Sequence, residues 1–326
     1  MKKRLSQILL VGLLMGTTLS CDPILKSLTL KLNWQTGTQF IGFYVAQSLG
    51  YYAAQGIELT IEPSSNIAEA GLVPERVAAG EFQFGTGGIA LMRAQARGVP
   101  ITAISNIYKL SPQTFFARAD SGIVTPEDLA HRRIAVKNDD WRTALQILLA
   151  YVGLNLDSVV QVPSGFDMTP FFQGDVEVWA GFVTEEVVRA RQRGLKLVTL
   201  PLYEYGFRVF AMTVFTSQQW LADNPEWAVR FLQGSLRGWL WALDNPVKAV
   251  DILLEMYPEL AKERDFHLAS FASSIPLIRP QGSQVGAIDC RLWEINELLE
   301  NLTSKDGLCD DTIFEAAYKS LDPLSR

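Results

Sequence analysis

Apolar and polar positions alternate from Leu28 to Leu32, which predicts a half-buried strand, and the next apolar stretch, Phe40 to Leu49, has helical spacing and stops at Gly50. The same alternation of periods then repeats. Strands are expected at 57–61, 82–84 and 101–105, with helices at 68–79, closed by Gly80, and 89–96, closed by Gly98. Strands alternating with helices of about 10–15 residues are the mark of βαβ units on a largely parallel sheet.

After Ser111-Pro112 the pattern restarts, with strands expected at 114–117, 134–136, 159–162, 177–180 and 195–200 and helices at 141–152 and 185–192. Thr125-Pro126-Glu127-Asp128 combines an N-cap, a proline at the first helical position and acid in the first turn. From Ser217 onward the chain reads as helical. Asn224-Pro225 opens a helix in which Trp227/Ala228, Phe231/Leu232, Ser235/Leu236 and Trp239/Leu240 recur every four residues, a stripe that reads as core packing, and Asn245-Pro246 opens the next. Two α/β units with a helical last third predict two lobes with a cleft between them, where such folds place small ligands.

Met1 to Ser20 departs from this pattern. A basic start (Lys2, Lys3, Arg4), an apolar run from Ile8 to Met15 and small or polar residues before Cys21 read as a secretory leader, too short in its apolar part for the ~20 residues that span a bilayer. Thr18-Leu19-Ser20-Cys21 is similar to a bacterial lipoprotein cleavage box, which would make Cys21 a lipidated N-terminus, and Asp22 after it resembles a signal for retention on the inner membrane. Loss of the leader removes three positive charges and no negative one from a formal −6, leaving −9.

The 326 residues suit about two domains, and 48% hydrophobic with 20% charged residues is a globular balance. The acidic balance argues against nucleic acid as a partner. Only His131 and His267 are histidines, which argues against a hydrolase triad or a His-rich metal site. No metal and no cofactor is expected. Cys290 and Cys309 are left as either a disulfide or two buried free thiols.

Several segments carry a specific likeness: Leu32-Asn33-Trp34, Thr38-Gln39-Phe40-Ile41-Gly42-Phe43-Tyr44-Val45-Ala46, Gly50-Tyr51-Tyr52, Gly85-Thr86-Gly87-Gly88, Arg93 to Pro100, Asp175-Val176-Glu177-Val178 and Phe182-Val183-Thr184-Glu185-Glu186. In order and spacing they resemble the ABC-importer solute-binding proteins for the thiamine pyrimidine precursor and related ligands. The resemblance covers about residues 28–256. It implies a type II periplasmic binding protein fold, an α/β architecture of two lobes closing on a hinge, with lobe one at 27–108 plus 208–326 and lobe two at 109–207. The role implied is capture of a planar nitrogen heterocycle, a thiamine pyrimidine precursor first and a flavin-like ring as the alternative, and its delivery to a permease with ATPase subunits, without catalysis.

Candidate ligand residues follow from position and resemblance together. Trp34 lies just past the first strand and offers an indole for stacking; Gln39 and Phe40 would add an amide and a ring face. At these two positions the pyrimidine-binding subgroup resembles Asn-His, and Gln-Phe belongs to a sister subgroup with larger, flavin-like rings. Gly87, in the glycine turn between a strand and a helix, would turn backbone N–H groups toward a ligand. Asp139 and Trp141 occupy the matching turn of lobe two, where two carboxylates, Asp139 and Asp140, would repel an anion by about 4 kcal/mol at 4 Å and an effective dielectric of ~20. That disfavours sulfonate, nitrate and phosphonate. Glu186 would accept from ring N–H groups, or would simply suit a helix N-terminus. Phe182, Trp179 and Tyr108 are further aromatic candidates, and His131, beside Arg132 and Arg133, reads as a solvated turn. A distant likeness to eukaryotic pyrimidine synthases is the enzymatic alternative, but their cysteine-rich iron motif is missing. A sensory module for a membrane kinase is the third reading.

Overall fold

The computed structural model describes residues 25–207, 210–294 and 306–321; the expected leader, Cys21 and Asp22 lie outside these, as do residues 208–209, where the return to lobe one is expected. The first α/β unit runs β1 (Lys26–Lys31), α1 (Ile41–Ser48), β2 (Ile57–Glu62), α2 (Ile67–Gly71), α3 (Val73–Ala78), β3 (Phe84–Gly87), α4 (Ile89–Ala96) and β4 (Ile101–Tyr108). The second runs β5 (Gln113–Arg118), β6 (Arg133–Val136), α5 (Asp139–Tyr151), β7 (Val160–Pro163), α6 (Thr169–Gln173), β8 (Val178–Phe182), α7 (Glu186–Gln192) and β9 (Leu197–Pro201). The chain then adds β10 (Ala211–Ser217) and the helices α8 (Gln218–Asp223), α9 (Pro225–Asp244), α10 (Pro246–Met256), α11 (Arg264–Ile278), α12 (Cys290–Glu294) and α13 (Asp311–Lys319).

Two five-stranded sheets result, ordered β2-β1-β3-β10-β4 and β7-β6-β8-β5-β9. The largely parallel sheet expected from the βαβ pattern is corrected to two mixed sheets, each with one reversed strand: β10 runs antiparallel to β3 and β4, and β5 antiparallel to β8 and β9. β10 itself was not anticipated. Its seven residues have no flanking turn signal of their own, and five of them are fully enclosed between neighbours. The single helix expected over 68–79 is two, α2 and α3, broken at Leu72, because Pro74 has no N–H to continue the first helix and instead starts the second. Thr125 to Asp128 forms its capping box over one short 3-10 turn, Pro126–Leu129.

The aromatic stripe of α9 is core. Phe231, Leu232, Leu236 and Trp239 are buried with β1, α1 and β3 in one cluster, and a separate cluster under α5 joins Phe115, Trp141, Leu145 and Leu148. α1 and α9 cross with their backbones nearly touching. A Cβ at Gly238 would lie 2.1 Å from the Gly42 carbonyl oxygen, and one at Gly42 would lie 2.1 Å from the Trp239 ring. Glycine at both positions is what allows the approach.

Cys290 and Cys309 form a disulfide, with 5.4 Å between their Cα atoms. The sequence leaves the pairing open because only tertiary structure folds Cys309 back. It does so along the outer edge of β4: the Ala103 N–H donates to the Leu308 carbonyl and the Asp310 N–H to the Ala103 carbonyl, both at 2.9 Å. Gln95 clamps the same segment, donating to the Leu308 carbonyl at 2.7 Å and accepting from Trp293 Nε1 at 2.9 Å.

Candidate ligand cleft

Trp34 emerges at the end of β1 on a loop fixed from three sides. Thr86 accepts from the Asn33 N–H at 2.9 Å and donates to its side chain at 2.8 Å; Ser64 donates through its N–H to the Trp34 carbonyl at 3.1 Å; Gln35 donates to the Ser65 carbonyl at 3.0 Å. Beneath the loop lies Lys31, wholly buried, its ammonium 2.7 Å from Glu62 and 2.6 Å from Glu69. Glu69 also accepts from the Ser65 N–H and hydroxyl. The Lys31 ammonium, then the Ser65 donors, pull the Glu69 carboxyl from 4.5 down to about 2.

A folded-state value below the unfolded one gives stability that is complete above about pH 4.5 and is lost as pH falls toward 2. Glu69→Gln is therefore expected to melt below the wild type at pH 7, with the gap between the two melting temperatures closing over pH 4.5 to 2. A gap independent of pH would disconnect Glu69 from Lys31.

The indole of Trp34 is 37% exposed and lies beside Phe166 of the second unit, ring centroids 6.3 Å apart and planes tilted by 44°. Phe166 is in turn 5.3 Å from the ammonium of Lys137, which sits in the turn between β6 and α5. Lys137 is buried, with Trp141 and Trp179 centroids 5.5 and 6.0 Å from its ammonium, and it is ion-paired with Glu186 in a short contact. The other Glu186 oxygen accepts from the Phe182 N–H at 2.8 Å. Phe182 meets Trp141 edge to face at 5.5 Å. Gly181 makes room for this, since a Cβ there would lie 2.9 Å from the Glu186 carboxyl.

Of the residues expected at the site, Trp34, Trp141, Phe182 and Glu186 are thus brought into one connected aromatic and charged cluster, together with Lys137 and Phe166, which sequence reasoning missed. A lysine between Val136 and Asn138 reads as solvated, and its carboxylate partner is 49 residues away. For Phe166 there was a weak signal, a large aromatic in the Ser164-Gly165 turn, 59% exposed.

The others lie apart. Phe40 is fully enclosed in the core of the first unit, and Tyr108 is buried there too, burial pushing its hydroxyl up to about 12. Gln39 is half-buried, its amide donating to the Gln35 carbonyl at 3.3 Å. Gly87 has a packing reason to be glycine: a Cβ would lie 3.0 Å from Leu91 and 3.2 Å from the Phe215 ring of β10, and the same ring covers Gly85. The Asp139 side chain is 95% exposed, with Arg142 at 3.7 Å, while Asp140 pairs with Arg93 of the first unit. The expected repulsion of anions by two bare carboxylates is therefore corrected: one is in solvent and the other is neutralised across the seam. Neither histidine joins the group. His131 turns a loop with φ 64°, and His267 is buried on α11, where loss of hydration pushes its imidazole below the ordinary value.

A second tie crosses the seam. Arg189 of α7 reaches Glu263 at 2.8 Å and Glu185 at 2.7 Å while its guanidinium lies 3.8 Å from the Phe266 ring centroid. The Arg189 charge holds the Glu263 carboxyl below its usual range.

Two mixed sheets joined in this order define the fold of the periplasmic solute-binding proteins. The aliphatic sulphonate binding protein SsuA of Escherichia coli superposes with a TM-score of 0.65 at 15% identity over 82% of each chain. The chain belongs to the NMT1/THI5-like family, whose model matches residues 37–249. Among its relatives are the riboflavin-binding protein RibY of Chloroflexus aurantiacus, 29% identical over 74% of this chain and 69% of that one, and a 4-amino-5-hydroxymethyl-2-methylpyrimidine phosphate synthase of Legionella pneumophila, 28% identical over 72% and 76%. The formylaminopyrimidine-binding protein of Halalkalibacterium halodurans is 19% identical over 93% of both.

Proposed function

We propose that this protein is the solute-binding component of an ABC importer that captures a planar nitrogen heterocycle, a thiamine pyrimidine precursor or a flavin-like ring, and hands it to a permease unaltered. The observation that carries this reading is the Trp34–Phe166 pair facing across the two units above the buried Lys137–Glu186 pair. Facing aromatic rings supply stacking surface to any flat ring, and a polar floor supplies orientation. In this reading lobe one is 27–108 plus 208–326, lobe two is 109–207, and the Arg93–Asp140 and Arg189–Glu263 ties form when the lobes close. Export, with a lipid on Cys21 as the membrane tether, completes it; none of the described helices is long and apolar enough to cross a membrane.

Titration of the intrinsic tryptophan fluorescence with thiamine, aminopyrimidine precursors and riboflavin tests the reading. Saturable quenching by one of these, with the ligand recovered chemically unchanged by mass spectrometry, is expected. Absence of binding by all of them up to millimolar concentration would refute it, and recovery of an altered ligand would replace binding by catalysis.

A further inference from the structure

Glu186, the acceptor the sequence suggested for ligand N–H groups, has both carboxylate oxygens engaged: one by the Lys137 ammonium, the other by the Phe182 N–H. Lys137 is the opposite case. An ammonium carries three donors and no acceptor. Among the described residues Glu186 is the single hydrogen-bond acceptor that Lys137 meets, and the rest of its surroundings are the rings of Trp141, Phe166 and Trp179. The side chain is 4% exposed. A buried ion pair repays the loss of hydration only when its remaining donors are also satisfied, and here two N–H groups of a buried cation have no acceptor among the described residues. The ring of Phe166 links this ammonium to Trp34, so the unmet donors belong to the same cluster as the exposed indole.

We propose that Lys137 is the specificity-determining residue of the cleft: its ammonium donates to a ring carbonyl, and the site selects planar nitrogen heterocycles bearing an oxo group over aminopyrimidines without one. Glu186 is then a positioning residue, acting through Lys137. Three features support the choice of a carbonyl. A neutral ion pair favours no net ligand charge, so a neutral acceptor suffices. The ammonium would repel a protonated aminopyrimidine. The ring walls leave a flat ligand, whose acceptor lies in the ring plane, as the shape that brings an oxygen to the nitrogen.

The inference rests on the heterocycle reading above, and the test separates the two. Riboflavin, which carries ring carbonyls, and 4-amino-5-hydroxymethyl-2-methylpyrimidine, which carries none, are titrated into the full-length protein and into Lys137→Met/Glu186→Gln. The pair of changes removes both charges together, and melting temperature with near-ultraviolet circular dichroism establishes that the variant is folded. The wild type is expected to bind riboflavin at least about tenfold more tightly, and the variant to lose about tenfold to a hundredfold for riboflavin, the range of one hydrogen bond to a charged group, while changing little for the aminopyrimidine. Riboflavin affinity unchanged in the folded variant, or a wild type that prefers the aminopyrimidine, overturns the role of Lys137 and leaves the heterocycle reading standing. A wild type that binds neither overturns both. The unaltered protein gives an independent measurement: riboflavin with a ring carbonyl oxygen replaced by sulfur, a poorer acceptor, is expected to bind at least about tenfold more weakly for one of the two carbonyls. Equal affinity for both thio analogues and riboflavin overturns the proposal.

Discussion

Replacing Glu186 by alanine is expected to cost about 3–5 kcal/mol of folding stability, because it removes one partner of a buried pair and strands the other. Lys137 and Glu186 are 4% and 9% exposed, so water does not replace the lost carboxylate, and the Phe182 N–H loses its acceptor as well. Converting both residues to apolar ones of similar volume, Lys137→Met with Glu186→Leu, is expected to recover most of the loss, since an uncharged pair owes no desolvation. Urea unfolding of the three proteins checks this. A single-variant loss below about 1 kcal/mol would show that the ammonium escapes to solvent once unpaired, as surface pairs do.

The second large effect is far from the cleft. Gly238→Ala places a methyl group 2.1 Å from the Gly42 carbonyl, a distance no rotamer can relieve because the obstacle is backbone. α1 and α9 must separate, and with them the packing of Trp239 against Phe43, whose rings meet edge to face at 5.5 Å. A loss of about 3 kcal/mol or more is expected, at the upper end for overpacked cores. Gly42→Ala meets the same crossing from the other side, against the Trp239 ring. Combining the two is expected to cost clearly less than the sum, since one separation of the helices accommodates both. Denaturation midpoints of the single and double variants decide it, and strict additivity would mean that the two helices do not share one contact.

What the sequence made legible was local. The period change from strand to helix, the glycine stops and the Asn-Pro helix starts depend on residues close together in the chain, and α1, α5, α9 and α10 follow from them. The place of Trp34 was legible for a related reason, since the strand pattern ends two residues before it and leaves the indole exposed beyond β1. β10 was not, because its register is set by β3 and β4, more than a hundred residues earlier. The role of Lys137 was hidden in the same way. Nothing adjacent to it distinguishes it from a solvated lysine, and only the closing of β6 against β8 brings Glu186 to it. Gly87 and Phe40 show the converse case. Both lie in segments that resemble ligand-binding ones, yet their immediate neighbours explain them as packing, under Phe215 and within the core around α1.

The interleaving of the two sheets also sets an order of assembly. Every strand of the second sheet comes from the continuous stretch 113–201, so it can pair fully as soon as that stretch is available. The first sheet cannot close then, because its fourth position belongs to β10, and the outer edge of β4 is covered only by later chain, where Gly286 pairs with Asn106 and Leu308 and Asp310 pair with Ala103. The earliest part of the chain is therefore among the last to be completed, and β4 waits with an open, wholly buried-type strand edge while some two hundred residues follow it. The disulfide to Cys290 fastens the segment that covers this edge at Ala103, so it braces the rim of the first sheet at β4.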